Sequence, residues 1–134
     1  MNGIADTGFI VAFLNRRDRF HDWAVAVANE IQTPLITCEA VLAEAAFHLS
    51  SVEHVLSLVD LGLIRSDFDV TAALPRLHLL ARRYSDRSPN LADLCLIILS
   101  ERLPHHKVLT VDGDFRVYRR LQRETIPTLM PENA

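Results

Sequence analysis

Lysine is nearly absent from this chain: Lys107 stands alone beside 13 arginines. With a formal charge of −3 and a pI near 6.0, there is no global basic field. A nucleic-acid partner would therefore have to be met by a local patch. Arginine suits bidentate phosphate contacts, although the codon usage of a GC-rich genome explains the same imbalance. Only two cysteines are present, Cys38 and Cys95, in apolar contexts without metal-type spacing. They fit core thiols in a reducing cytoplasm. No apolar run approaches the roughly 18 residues that a membrane-spanning helix needs. The run Gly8 to Leu14 follows an aspartate and has no basic residue before it, unlike a signal peptide. Repeats, low-complexity tracts and Gly/Ser linkers are also missing, so residues 1–134 read as a single domain.

What is present is apolar. The 49% hydrophobic content and mean hydropathy of +0.14 are high for a chain of 134 residues. They predict helices buried on more than one face, or an apolar surface covered by a partner. Residues 34–37, 62–65, 107–111 and 125–129 read as short strands, with 3–5 a weaker fifth. Helical patterns fall between them, at about 7–15, 20–32, 39–49, 52–61, 70–84 and 89–102, with a shorter one near 114–123. Ser88 before Pro89 reads as an N-cap with proline at the first helical position. Strands alternating with helices predict an α/β domain with a mainly parallel sheet.

Against this apolar background four carboxylates stand out. Asp6 ends Gly3-Ile4-Ala5, and Asp112 closes Lys107-Val108-Leu109-Thr110-Val111. Glu44 and Asp93 sit inside apolar helical runs, with no lysine or arginine within a helical turn. An unpaired buried carboxylate is costly, so such groups neutralise, pair with cations or bind metal. In parallel α/β folds the site lies outside the carboxyl ends of the strands. Asp6 and Asp112 directly follow strands, while Glu44 and Asp93 fall early in helices that face the same edge. All four placements converge on one edge of the sheet.

Hard oxygen ligands of this kind suit Mg²⁺ or Mn²⁺, and the lack of a Cys/His set argues against zinc. Such an ion polarises a phosphodiester and lowers the pKa of its water, which points to hydrolysis of a nucleic-acid backbone. Each acid also has an ordinary reading. Asp6 can cap the helix from Thr7, and Asp112 can serve the turn at Gly113. For Glu44 and Asp93 neither turn chemistry nor a solvated face accounts for the position, short of a helix turned to expose one polar residue.

The ordered strings Ile4-Ala5-Asp6-Thr7-Gly8, Val41-Leu42-Ala43-Glu44, Leu91-Ala92-Asp93-Leu94 and Leu109-Thr110-Val111-Asp112-Gly113-Asp114-Phe115 resemble the PIN-domain family. Within it the chain most resembles the VapC-type toxins of toxin–antitoxin pairs. The resemblance implies an α/β/α sandwich with a short central sheet and Mg²⁺- or Mn²⁺-dependent endoribonuclease activity. It also implies a cytoplasmic toxin held inactive by a VapB-type antitoxin, as toxin dimers with antitoxin bound. Carried over by position, Asp6, Glu44, Asp93 and Asp112 are the catalytic acids, with Asp6, Asp93 and Asp112 holding the ion. Thr7, Thr110 and Asp114 are candidates for the outer shell, alongside plain roles in helix initiation, strand filling and a solvated helix start.

Other polar residues carry less. Glu39 falls about 140° from Glu44 around a helix and reads as a charge in a first turn. His48, four residues after Glu44, reads as a partly buried histidine rather than a ligand. Arg116, Arg119, Arg120 and Arg123 form a basic helical stripe for RNA phosphates, for an antitoxin's acids, or simply for solvent. Two other function classes compete with the ribonuclease. One is a PIN fold acting only as a binding module through a protein partner. The other is a phosphoacceptor receiver domain, which needs adjacent acids after its first strand and a lysine after a later one; Thr7 and Gly8 follow Asp6 here, and Lys107 opens a strand. A haloacid-dehalogenase-type phosphatase would need an aspartate where Gly8 stands.

Overall fold

The structure is a computed structural model covering all 134 residues. Its centre is a sheet of five short parallel strands in the order β3-β2-β1-β4-β7. These are β1 (Gly3–Ala5), β2 (Leu35–Thr37), β3 (Ile64–Ser66), β4 (Lys107–Leu109) and β7 (Thr128–Leu129). Register runs through Ile4, which lies against Ile36 on one side and Val108 on the other. β1 and β2 are buried at every position, as strands covered on both faces must be. The order reverses at β1, so the crevice outside its carboxyl end is a topological switch point. Asp6 is the first residue beyond that end.

Six α-helices flank the sheet: α1 (Thr7–Leu14), α2 (His21–Ala28), α3 (Glu39–Leu49), α4 (Val52–Asp60), α5 (Leu74–Arg83) and α6 (Leu91–Arg102). α6 is the centrepiece, with every residue from Ala92 to Ser100 buried. A helix apolar all round belongs inside the protein, and this one accounts for the high hydropathy of the chain. It packs on β1 and β4 and also touches α3 and α5. No helix is long and apolar enough to cross a membrane. Cys38 and Cys95 are free and buried, as core thiols.

Several elements depart from the sequence reading. The helix expected near 114–123 does not form. A 3-10 turn over Gly113–Arg116 is followed by a two-stranded antiparallel hairpin, β5 (Arg119–Arg120) with β6 (Glu124–Thr125). The hairpin forms because the Arg120 guanidinium, 4% exposed, bonds the Ser100 and Pro104 carbonyls at 2.8 and 3.1 Å and pairs with Glu124 at 2.6 Å. Burying that charge with its partners outweighs the helical periodicity. The strand expected over 125–129 is consequently divided between β6 and β7. The helix expected from Pro89 begins at Leu91 instead, capped by Asn90, while Ser88 takes a left-handed φ of 48°. The Asn90–Asp93 capping box supplies two bonds where Ser88 would supply one.

Candidate active site

At the carboxyl edge of β1 and β4 lies an open depression of about 430 Å³. Its lining includes Asp6, Glu44, Asp93 and Asp112, together with Thr7, His48 and Asn90, and contains no lysine or arginine. Each acid arrives from a different element. Asp6 follows β1, its backbone N–H still bonded to the Leu109 carbonyl at 3.0 Å. Glu44 comes from the middle of α3, Asp93 from the first turn of α6, and Asp112 from the segment after β4.

Three of the four also hold a helix or turn start. The Asp6 carboxylate accepts the Thr7 N–H at 2.7 Å and caps α1. Asp112 Oδ1 accepts the Asp114 N–H at 2.9 Å and caps the 3-10 turn. Asp93 closes the box on Asn90, whose side chain accepts the Asp93 N–H at 2.8 Å. An ordinary role therefore does exist for Asp93, contrary to the sequence reading; Glu44 alone has none. The capping and pocket-lining roles coincide because helix starts and strand ends share this edge, where the helix dipoles favour negative charge.

Hydroxyl groups fix the carboxylates. Thr110, fully buried, donates to Asp6 Oδ2 at 2.6 Å and accepts the Asp112 N–H at 2.9 Å, so one side chain ties the two acids together. Thr7 donates to Glu44 Oε2 at 3.4 Å, with the Asn90 amide at 3.5 Å from the same oxygen. The buried Tyr118 hydroxyl donates to Asp93 Oδ2 at 3.2 Å. α1 approaches closely because residue 8 is glycine: a Cβ there would overlap Val111 Cγ2.

The electrostatics follow from burial. Burial first, and then the charges of Asp112 and Glu44, push the Asp6 carboxyl up to about 6 against the bonds from Thr110 and Thr7. Burial, and then the charges of Asp6 and Asp112, push Asp93 up to about 7, opposed by Tyr118 and Asn90. Tyr118 is itself pushed up, by burial and then by Asp93. Two carboxyls raised in one depression, with no cationic side chain among the lining residues, make an environment that a cation would favour.

The chemistry of this donor set fits a hard divalent ion. No three His, Cys, Asp or Glu side chains stand close enough together to hold a metal ion as direct ligands. Mg²⁺ seldom uses three: it keeps several waters and takes one or two carboxylates directly.

Asp114 lies outside the depression, 41% exposed and paired with Arg87 at 3.0 Å. The basic stripe does not form as a helix face, because the segment is a 3-10 turn and a hairpin, with Arg123 exposed between its two strands. Arg119 Nη1 donates to the carbonyls of Arg116, Val117 and Tyr118 at 2.7, 3.1 and 3.1 Å, Arg120 is buried, and Arg116 reaches the Ala134 carbonyl at 3.2 Å. His48 is exposed rather than partly buried and lines the wall beside Glu44. Glu39 is exposed in the first turn of α3, as its spacing predicts. Asn90, Tyr118 and Arg87 hold the acids or their neighbours without having been expected from the sequence. Asn90 had a usable signal, since Asn-x-x-Asp before an apolar run is a capping-box pattern; Tyr118 and Arg87 had none.

The family model for the PIN domain matches residues 4–121. A search of curated proteins finds no match.

Proposed function

The chain belongs to the PIN-domain family, a nuclease fold, and from that premise we propose that it is a Mg²⁺- or Mn²⁺-dependent endoribonuclease serving as a VapC-type toxin. The observation that carries this reading is the depression itself: four carboxylates from four elements, with no cationic side chain among the lining residues. Asp6, Asp93 and Asp112 would face the ion, one or two of them as direct ligands and the rest through its waters. When bound, it supplies electrophilic polarisation of the scissile phosphodiester and a hydrolytic water of lowered pKa. The protein's part is orientation. Thr110 aims Asp6, Asn90 and Tyr118 aim Asp93, and the Asp112 backbone is anchored on the Thr110 hydroxyl. Glu44, held only by the long contacts from Thr7 and Asn90, is the carboxylate placed to accept the proton of the attacking water.

A protein partner is supported by a different surface. Phe47, Val52, Leu56 and Leu61 on and beside α3 and α4 are 80, 62, 52 and 72% exposed. Phe47, Val52 and Leu56 line an apolar groove between the two helices, of the sort a partner covers. An antitoxin segment laid there, or a second copy of the chain, fits the toxin reading. The same groove is what a pure binding module would use.

The test is cleavage of RNA by the purified protein in Mg²⁺ or Mn²⁺, with and without EDTA, alongside Asp6→Asn and Asp93→Asn. Activity that needs the metal and both acids supports the enzyme, and activity surviving EDTA sinks the metal mechanism. Induction of the gene alone in bacteria tests the toxin role. Arrest that depends on Asp93 and is relieved by a small neighbouring gene is expected; no phenotype leaves the binding module.

A further inference from the structure

A depression lined by four carboxylates repels the polymer it is proposed to cut, and one metal ion answers the charge of the scissile phosphate only. Neighbouring phosphates need donors at the rim. Of the arginines that the sequence offered for this, Arg119 is committed to three carbonyls and Arg120 to two carbonyls and Glu124, while Arg116 and Arg123 are exposed and neither lines the depression. Two other side chains are connected to it, Arg87 outside the depression by way of Asp114 and Asp112, and His48 in its lining. Arg87 precedes Asn90 by three residues and pairs with Asp114 at 3.0 Å, and the Asp114 N–H in turn rests on Asp112 at 2.9 Å. Its guanidinium is thus tied to the acidic edge through one half-exposed contact, of the kind that is weak and readily exchanged. A phosphate offers the same fork a stronger partner. On the α3 side, His48 lies one helical turn beyond Glu44, exposed and lining the wall, its ring edge-on to Phe47 at 5.7 Å. It brings a nitrogen donor to a wall otherwise defined by Glu44.

Resting on the ribonuclease reading, we propose that Arg87 and His48 are positioning residues that hold the RNA phosphates on either side of the scissile one. The strand then crosses from the Arg87–Asp114 rim to the α3 rim, and Arg87 leaves Asp114 for a phosphate as it binds.

The probe is a fluorescein-labelled unpaired oligoribonucleotide, with binding followed by anisotropy over a series of KCl concentrations. Every variant is carried in the Asp93→Asn background so that the RNA stays intact. Arg87→Gln should weaken binding about tenfold and make the dependence of log Kd on log salt shallower by about 0.7, one phosphate contact on a single strand. Arg87→Lys should keep the slope. His48→Ala should weaken binding about threefold. Asp114→Asn, which frees Arg87, should bind at least as tightly as its parent. A merely structural ion pair predicts the opposite: Asp114→Asn and Arg87→Gln would lose affinity and melting temperature together, and that result overturns the proposal. So does an unchanged Kd in Arg87→Gln or in His48→Ala. Failure of the wild-type protein to cleave this RNA in Mg²⁺ or Mn²⁺ strikes at the ribonuclease reading instead; cleavage with Kd unmoved by the variants strikes at the positioning residues alone.

Discussion

Asp93 bears two burdens that pull against each other. Its carboxyl completes the cap of α6, yet burial and the neighbouring acids push its pKa to about 7. Asparagine keeps the shape and the capping acceptor and removes the charge. Asp93→Asn is therefore expected to lower RNA cleavage by at least about 100-fold while raising the melting temperature of the metal-free protein at pH 8. Circular dichroism melts beside an RNA cleavage assay check both halves. The raised values of Asp6 and Asp93 also set a pH dependence. The native state keeps its protons to about pH 6–7, whereas the unfolded chain releases them near 3.8, so over that window the folded form binds more protons. Stability of the metal-free protein should accordingly fall as pH rises from about 4 to 7, by up to about 1.4 kcal/mol per unit for each group, before solvent screening of the less enclosed Asp93 reduces it. Denaturant melts in EDTA across that range measure it; a flat or rising profile would remove the argument from burial. At this scale the sequence was informative. Apolar surroundings marked Glu44 and Asp93, and strand ends marked Asp6 and Asp112. Hidden from it were the partners that arrive from distant segments, such as Tyr118 on Asp93, because no local pattern records a contact across 25 residues.

Elements explain where local reading failed. The Arg116–Arg123 stretch carries helical spacing, but Arg120 finds carbonyls and Glu124 inside the fold, and that tertiary anchor turns the chain into a hairpin. The hairpin tip places Leu121 and Gln122 at φ of 49° and 73°, a conformation that side chains with a Cβ resist. Gln122→Gly should relieve part of this and stabilise the protein by about 1 kcal/mol, measurable as a shift in the urea midpoint. Gly8 presents the reverse case. With Val111 against it, Gly8→Ala must push α1 away from the end of β4 and separate Asp6 from Thr110. A loss of about 2 kcal/mol in stability and a disproportionate loss of cleavage are expected; cleavage kept in a destabilised Gly8→Ala protein would show that the contact serves packing alone. The parallel order of the sheet was legible from alternation of strands and helices. The exact start of α6 was not, since Ser88-Pro89 and Asn90 offer competing caps and only the reciprocal bond to Asp93 decides between them.

For the whole molecule, the acidic edge and the apolar α3–α4 face are separate surfaces that meet at Phe47 and His48. Leu56→Asp lies on the apolar side only, so it should abolish a partner complex in size-exclusion chromatography while leaving cleavage by the free protein unchanged. Cation binding should be felt globally. Mn²⁺ is expected to raise the melting temperature more at pH 8 than at pH 5, because at the lower pH protons already occupy Asp6 and Asp93. Finally, consider what it means that Asp93 rides on α6, buried from Ala92 to Ser100. A segment so enclosed is expected to open only with the whole protein, at close to the full free energy of unfolding. Heating should therefore extinguish catalysis and structure in a single step. Hydrogen exchange along α6 should likewise be as slow as anywhere in the protein.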